Sequence, residues 1–150
     1  MKVKIDQIKN LREKTGVSVL ECRQALREAQ GKSQKALEIL KKKGIVKAGK
    51  KAERKTKAGF VEAYTHATGN IGVLVELACE TDFVARNKDF RTLAHELCLQ
   101  VASMKPKDVA ELLKQEYIRD NSKTIGDLVK EAIAKLGENI IVKRFTRFEI

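Results

Sequence analysis

Residues 59–79 read GFVEAYTHATGNIGVLVELAC, and this stretch decides the fold. From residue 59 to residue 67 the side chains alternate between two faces, which is the pattern of a half-buried β-strand. Thr68-Gly69-Asn70 is typical of a turn, and residues 71–79 form an apolar run that predicts a second, more buried strand. The stretch therefore predicts a β-hairpin.

Helices and a third strand follow the hairpin in the sequence pattern. Residues 87–103 carry apolar side chains at a helical period, which predicts a long amphipathic helix. A shorter helix over residues 109–113 leads to another amphipathic helix that begins at Thr124. Residues 140–150 predict a strand that adds to the hairpin as a third antiparallel strand. The predicted fold class for residues 59–150 is α+β, with a small antiparallel three-stranded sheet covered on one face by helices.

The N-terminal part of the chain has a different pattern. Residues 5–43 predict three short helices with apolar residues at intervals of three or four, and Gly16 and Gly44 are placed to end the first and the third. Such a module has a small core, so we expect it to be marginally stable alone. The expected segments are a three-helix module over residues 1–44, a basic linker over 45–58 and the α+β core over 59–150.

Positive charge is concentrated in one segment. The formal net charge of the chain is +11, and residues 41–58 hold nine Lys or Arg residues against the single Glu53. Such a patch is typical of proteins that bind RNA, DNA or an acidic protein surface. It is equally typical of a solvated linker, and no aromatic residues lie among the lysines to stack on bases. A small basic RNA-binding protein therefore stays an open alternative.

Length and composition exclude several classes of protein. A chain of 150 residues cannot hold a large two-domain enzyme. Its longest apolar stretch, residues 71–79, is too short for a membrane helix. The first residues resemble neither a signal peptide nor a transit peptide, so we expect a cytoplasmic protein.

No pattern of catalytic residues is convincing. Neither His66 nor His95 belongs to a triad or to a metal-ligand spacing. A thiol enzyme built on Cys79 is disfavoured because Glu80 and Asp82 would raise the pKa of the thiol. We expect no enzyme activity, no cofactor and no metal. Three cysteines at spacings unlike those of zinc sites predict reduced, buried thiols at Cys22, Cys79 and Cys98.

Two short segments have both a structural and a functional interpretation. Val19 and Leu20 are consecutive in the first turn of a predicted helix, so they form either a hydrophobic staple or an exposed tip that docks on a partner. Thr81-Asp82-Phe83-Val84 stands at a strand-to-helix corner. There Asp82 is either a first-turn acid or a projecting carboxylate, and Phe83 is either a staple or a projecting ring. Spacing alone favours the structural interpretation at this corner.

Six segments, taken in chain order, resemble the translation elongation factor Ts family. The resemblance runs from the first predicted helix to the last strand, and residues 105–123 alone are undistinguished. The Thr-Asp-Phe-Val and Gly-Glu-Asn-Ile corners are its most specific motifs. The six segments are Leu11–Gly16, Cys22–Leu26, Lys47–Ala52, Gly72–Leu77, Cys79–Asn87 and Leu136–Ile140.

The resemblance implies a guanine nucleotide exchange factor for elongation factor Tu, the GTPase that delivers aminoacyl-tRNA to the ribosome. In this family a three-helix module similar to a ubiquitin-associated domain docks on the nucleotide-binding domain of the GTPase. Val19 and Leu20 stand where the family usually has two methionines, so the resemblance implies that they form the docking tip. Arg12 matches a position that also faces the GTPase.

The resemblance also gives roles to the strand-to-helix corner from Thr81 to Val84. It implies that Asp82 disturbs the magnesium environment of the GTPase and that Phe83 wedges into an apolar pocket near the switch region. The basic segment, including Lys51, then becomes a linker that contacts an acidic surface. No direct role in nucleic-acid binding is expected.

The chain is shorter than many members of the family it resembles. Longer members carry a second copy of the core subdomain and a coiled-coil insertion, whereas this chain passes almost directly from its second core helix to its last one. Short members pair two copies, and each copy binds one GTPase. The resemblance therefore implies a homodimer, formed through the sheet-bearing core, and a two-plus-two assembly with elongation factor Tu.

Overall fold

A computed structural model describes residues 3–150 of the chain, apart from the side chains at positions 45 and 47. Helices fill the N-terminal third, and the rest of the chain contains both strands and helices. The helices are α1 (Ile5–Thr15), α2 (Val19–Glu28), α3 (Ser33–Lys51), α4 (Asp82–Ala85), α5 (Lys88–Met104), α6 (Val109–Lys114) and α7 (Ile125–Leu136). The strands are β1 (Ala58–Thr65), β2 (Ile71–Cys79), β3 (Glu116–Tyr117), β4 (Asp120–Thr124) and β5 (Ile141–Glu149).

The main sheet has three strands in the order β1-β2-β5, and both pairs of neighbours are antiparallel. The central strand β2 pairs Glu76 with Val61 on one side and with Arg144 on the other. A register shift after Glu76 interrupts the pairing of β2 with β5. The predicted α+β class and the three-stranded antiparallel sheet are confirmed.

Two separate clusters of buried side chains hold the chain together. The larger cluster lies between one face of the sheet and helices α5 and α7, where Leu77, Phe90 and Leu97 are fully buried. The smaller cluster lies among α1, α2 and α3, around Leu26 and Cys22. Because the helices cover one face of the sheet, the side chains of the other face point away from the larger core.

Helix α3 is longer than the sequence predicts. Gly44 was expected to end it, but the helix continues through Gly44 and Gly49 to Lys51, and the first half of the predicted linker is therefore helical. Helix α3 packs on α7 at this point, and a Cβ at Gly44 would lie 3.3 Å from the Cβ of Ala134. The prediction was wrong because this glycine serves close helix packing, not a left-handed helix end.

A two-stranded sheet in residues 116–124 was not predicted. The buried Gln100 of α5 holds it, because its amide nitrogen donates to the Glu116 carbonyl at 3.0 Å and its amide oxygen accepts from Ile118 N–H at 3.1 Å. The Tyr117 hydroxyl also donates to Glu96 at 2.7 Å. These short strands depend on polar side chains elsewhere in the chain, so hydrophobic alternation did not indicate them.

Removing the carboxylate of Asp127 is expected to destabilise the fold at neutral pH. Its Oδ2 accepts from Thr124 N–H at 2.9 Å in the capping box of α7, and this bond holds the pKa of Asp127 below its usual range. A lowered folded-state pKa adds stability above the unfolded-state pKa and loses it as the pH falls through the folded value. We expect Asp127→Ala to cost about 1 kcal/mol at pH 7 in urea unfolding.

The pH dependence separates this explanation from a general packing defect. The difference in unfolding free energy between Asp127→Ala and the parental chain should begin to shrink below the unfolded-state pKa of about 4 and disappear as the pH falls through the lower folded-state pKa of Asp127. An equal difference at pH 7 and at acidic pH would contradict a role for the ionised carboxylate.

Candidate protein-docking site

The strand-to-helix corner after β2 presents an aromatic ring to the surface. Thr81 is the N-cap of α4, and its hydroxyl oxygen accepts from Val84 N–H at 3.5 Å. Phe83 follows in the first turn and is 88% exposed, so it does not pack as a staple on the helix. Asp82 beside it is also exposed, with Arg86 at 3.7 Å as its ion-pair partner. Of the two interpretations of Phe83, the structure has the projecting ring.

A carboxylate from a distant part of the chain holds this corner. Glu138 follows α7, and its Oε2 accepts from the backbone N–H groups of Glu80 and Thr81, both at 3.0 Å. Its Oε1 accepts from the Thr81 hydroxyl at 2.6 Å. A second hydrogen bond joins the same two segments, because Glu80 Oε1 accepts from Asn139 N–H at 2.8 Å. The two corners that the sequence singled out therefore bind each other.

The end of α3 completes the support of the corner. The side chain of Asn139 is buried, and its amide donates to the carbonyl oxygens of Ala52 at 3.3 Å and Arg54 at 2.8 Å. Lys51 donates to the Gly137 carbonyl at 2.9 Å. Lys51, to which the resemblance gives a partner-binding role, thus has an intramolecular contact beside the two corners.

The N-terminal helices present a second apolar surface. Val19 and Leu20 begin α2 directly after the Ser18 cap, and Leu20 is 64% exposed. Of the two interpretations of this pair, the structure has the exposed tip. Arg12 lies exposed on α1. We refer to Arg12, Val19 and Leu20 below as the N-terminal tip.

Lys135 of α7 contacts both the turn that precedes α2 and the first residues of α5. Gly16, in the turn before α2, has a φ of +66°, and a Cβ there would lie 2.6 Å from Cε of Lys135. The Lys135 side chain therefore lies directly against this turn. Its ammonium group reaches Asp89 at the start of α5, with an Nζ to Oδ2 distance of 3.0 Å. Helix α7 is thus in contact with the elements that carry both exposed surfaces.

The thiol next to the corner is not activated. Burial, and then the negative charge of Glu138, raise the pKa of Cys79 to about 11. Its Sγ lies 3.2 Å from the Thr81 carbonyl oxygen, to which it donates. At neutral pH the group is a protonated thiol, which is a poor nucleophile.

Replacing Cys79 with alanine is expected to leave the activity of the chain unchanged. Because the side chain is fully buried, the variant should lose about 1 kcal/mol of stability through the small cavity. The exchange activity that the resemblance implies is measured as release of labelled GDP from elongation factor Tu, with Cys98→Ala as a second buried-thiol control. A Cys79→Ala chain that is folded and inactive would support the thiol chemistry that the sequence disfavours.

Metal-ligand clusters and membrane-length apolar helices are both absent from the described part of the chain. Within residues 3–150 no three His, Cys, Asp or Glu side chains come together as the ligands of a metal would. No helix there combines the length and apolar character needed to cross a membrane. What this part of the chain presents is exposed apolar side chains on anchored supports, which makes the corner and the N-terminal tip candidate docking surfaces.

Comparisons with known proteins identify the class. The family model described as Elongation factor TS matches residues 80–150. Elongation factor Ts of Thermotoga neapolitana is 45% identical, with 100% of this chain and 98% of the relative covered. Elongation factor Ts of Caldanaerobacter subterraneus subsp. tengcongensis is 41% identical over 95% and 94% of the two chains, and that of Leptospira biflexa is 42% identical over 100% and 98%.

The chain is a translation elongation factor by these relationships, and it belongs to the elongation factor Ts family. It is a nucleotide exchange factor for elongation factor Tu, and the RNA-binding alternative is not supported. The alignment with the Thermotoga neapolitana protein has 193 positions, 43 more than the 150 residues of this chain. Those positions have no counterpart here.

Proposed function

We propose that the chain promotes GDP release from elongation factor Tu by inserting the corner of Asp82 and Phe83 beside the magnesium and phosphate site of the GTPase. The observation that carries this proposal is the combination of an 88% exposed phenyl ring with a preceding backbone whose N–H groups at Glu80 and Thr81 are both held by the Glu138 carboxylate. Burying the ring in a pocket of the partner supplies about 1.5–3 kcal/mol. The exposed Asp82 carboxylate is placed to compete for the oxygen-ligand shell of the magnesium ion.

Exchange by this route needs binding energy and no bond chemistry. A pocket that opens for Phe83 only in the nucleotide-free state gives the chain a higher affinity for that state. Linkage then requires that the bound chain lowers the affinity of the GTPase for nucleotide by the same factor. Magnesium retains several waters and is bound partly through nucleotide phosphates, so displacement of a few ligands weakens the whole site.

We assign a separate docking role to the N-terminal tip. The helices of residues 1–44 resemble a ubiquitin-associated module, and their exposed Val19 and Leu20 suit an apolar groove on the nucleotide-binding domain, with Arg12 beside them. We propose that Thr81 and Val84, which flank Asp82 and Phe83, also contact the GTPase. The basic stretch of α3 that ends at Lys51 faces an acidic surface in this arrangement.

We propose that a second copy of the chain packs on the open sheet face, which is the face of the three-stranded sheet that the helices leave uncovered. Val61, Leu74 and Phe148 are exposed there, and Phe148 is 72% exposed opposite Gly72. Glu76 and Arg144 form an ion pair of 2.6 Å on the same face. An apolar patch with one pair of opposite charges is complementary to itself across a twofold axis. We propose a homodimer through this face and a two-plus-two complex with elongation factor Tu in the cytoplasm.

Release of labelled GDP from purified elongation factor Tu, with and without the chain, tests the proposed function. In a buffer that contains magnesium, we expect the chain to accelerate GDP release, and we expect the rate to rise with the concentration of the chain. Release at the intrinsic rate would contradict the exchange mechanism. Binding to RNA that weakens steeply with salt, together with intrinsic GDP release, would instead favour the RNA-binding alternative.

A further inference from the structure

We propose that Glu138 is a positioning residue for nucleotide exchange, because its carboxylate fixes the corner that presents Phe83. The proposal rests on the proposed function of that corner. Glu138 itself is half-buried and lies behind the corner, with both carboxylate oxygens occupied by Glu80 and Thr81. It therefore acts through the backbone that it holds.

Helix α4 cannot fix the orientation of Phe83 by itself. It has four residues, and a single helical turn is unstable in isolation because few hydrogen bonds offset the loss of backbone freedom. Phe83 is nearly fully exposed, so its ring makes little packing contact that would hold the turn. The supports of α4 therefore come from outside the turn. Ala85 is buried in the larger core, and its carbonyl oxygen accepts from Arg91 Nε at 3.3 Å. Glu138 holds the backbone on the N-terminal side, next to Phe83.

The Glu138 carboxylate supplies that support through two routes. It takes both backbone N–H groups that precede α4, which fixes the direction in which the chain leaves β2. It also accepts a hydrogen bond from the Thr81 hydroxyl, which leaves a lone pair of the hydroxyl oxygen free to accept from Val84 N–H. Hydrogen bonds to an ionised acceptor are shorter and stronger than neutral ones. The cap of α4 is thus oriented by a residue 57 positions away in the sequence.

The test compares Glu138→Ala with a matched control variant. The measured quantity is the rate of GDP release from elongation factor Tu at a saturating concentration of the chain. Asp108→Ala is the control, since its Oδ1 also accepts a backbone N–H, that of Glu111 at 2.8 Å, at the start of α6. We expect Glu138→Ala to lower the maximal release rate about tenfold, because a small displacement of an inserted group has a large effect. Asp108→Ala should change that rate by less than about twofold.

Coupling to Phe83 distinguishes positioning from a general loss of stability. In a double-mutant cycle, Glu138→Ala should slow release by less than about twofold when Phe83→Ala is already present. Glu138→Gln should retain about a third of the parental rate, since its amide oxygen still accepts the two backbone N–H groups while its amide nitrogen cannot accept from the Thr81 hydroxyl. If Glu138→Ala folds poorly, Thr81→Val removes the hydroxyl route alone and should lower the maximal rate about threefold.

Two results would overturn the proposal while leaving the proposed function intact. One is a lowered maximal GDP-release rate for Phe83→Ala together with a parental maximal rate for Glu138→Ala. The other is an equal loss from Glu138→Ala in the parental and Phe83→Ala backgrounds. Parental rates for Phe83→Ala would remove the proposed function of the corner, and the positioning role would fall with it.

Discussion

Replacing Phe83 with alanine is expected to slow the GDP release catalysed by the chain by about tenfold or more, because about 1.4 kcal/mol corresponds to a factor of ten in rate. Burial of a phenyl ring in a partner pocket supplies at least that amount, about 1.5–3 kcal/mol. Since the ring is 88% exposed in the free chain, its removal should leave the thermal unfolding midpoint nearly unchanged. Stopped-flow release of fluorescent GDP measures the rate.

The loss of release rate on alanine substitution should differ between Phe83, its neighbour Asp82 and an exposed apolar residue elsewhere. Asp82→Ala should slow release less than Phe83→Ala, because in the proposed mechanism the carboxylate perturbs the magnesium waters without filling a pocket. Ile118, an exposed apolar residue between β3 and β4, offers a matched control, and Ile118→Ala should change the rate by less than about twofold. Parental release rates for both Phe83→Ala and Asp82→Ala would remove the assigned site.

Elements with a strong period could be predicted from the sequence, and elements held by distant contacts could not. Strand β2 and helix α5 appear close to their predicted bounds, because local alternation and helical periodicity reflect which side each residue buries. The end of α3 was missed since Gly44 packs against α7, a contact that no local pattern indicates. The β3–β4 pair was missed because it depends on the buried amide of Gln100.

The same distinction applies to the candidate site. The corner of Asp82 and Phe83 could be located from its sequence, but spacing alone favoured a staple for Phe83. Exposure of the ring depends on the whole surface around it, which the sequence does not give. The contacts of Glu138 with Thr81 also join residues far apart in the chain. The Gly-Glu-Asn-Ile motif marked the second corner, but its contact with the first one required the structure.

The second large effect concerns the open face of the three-stranded sheet. Leu74 lies on the central strand, where it pairs with Ala63 on one side and Thr146 on the other. In a dimer formed by stacking two such faces, the central strands lie closest to the twofold axis. An aspartate at position 74 would therefore bring two like charges together in a water-poor interface, which costs several kcal/mol.

We expect Leu74→Asp to convert the proposed homodimer into a monomer at micromolar concentration, with a dimer dissociation constant raised about 100-fold or more. Leu74 is exposed in the single chain, so the far-ultraviolet spectrum of the variant should stay unchanged. Sedimentation velocity at several concentrations measures the mass, and Ile118→Asp serves as the control for an added charge on an exposed apolar residue away from the sheet face. A parental chain that sediments as a lone protomer would remove the dimer, whereas a Leu74→Asp chain that still dimerises would place the interface elsewhere.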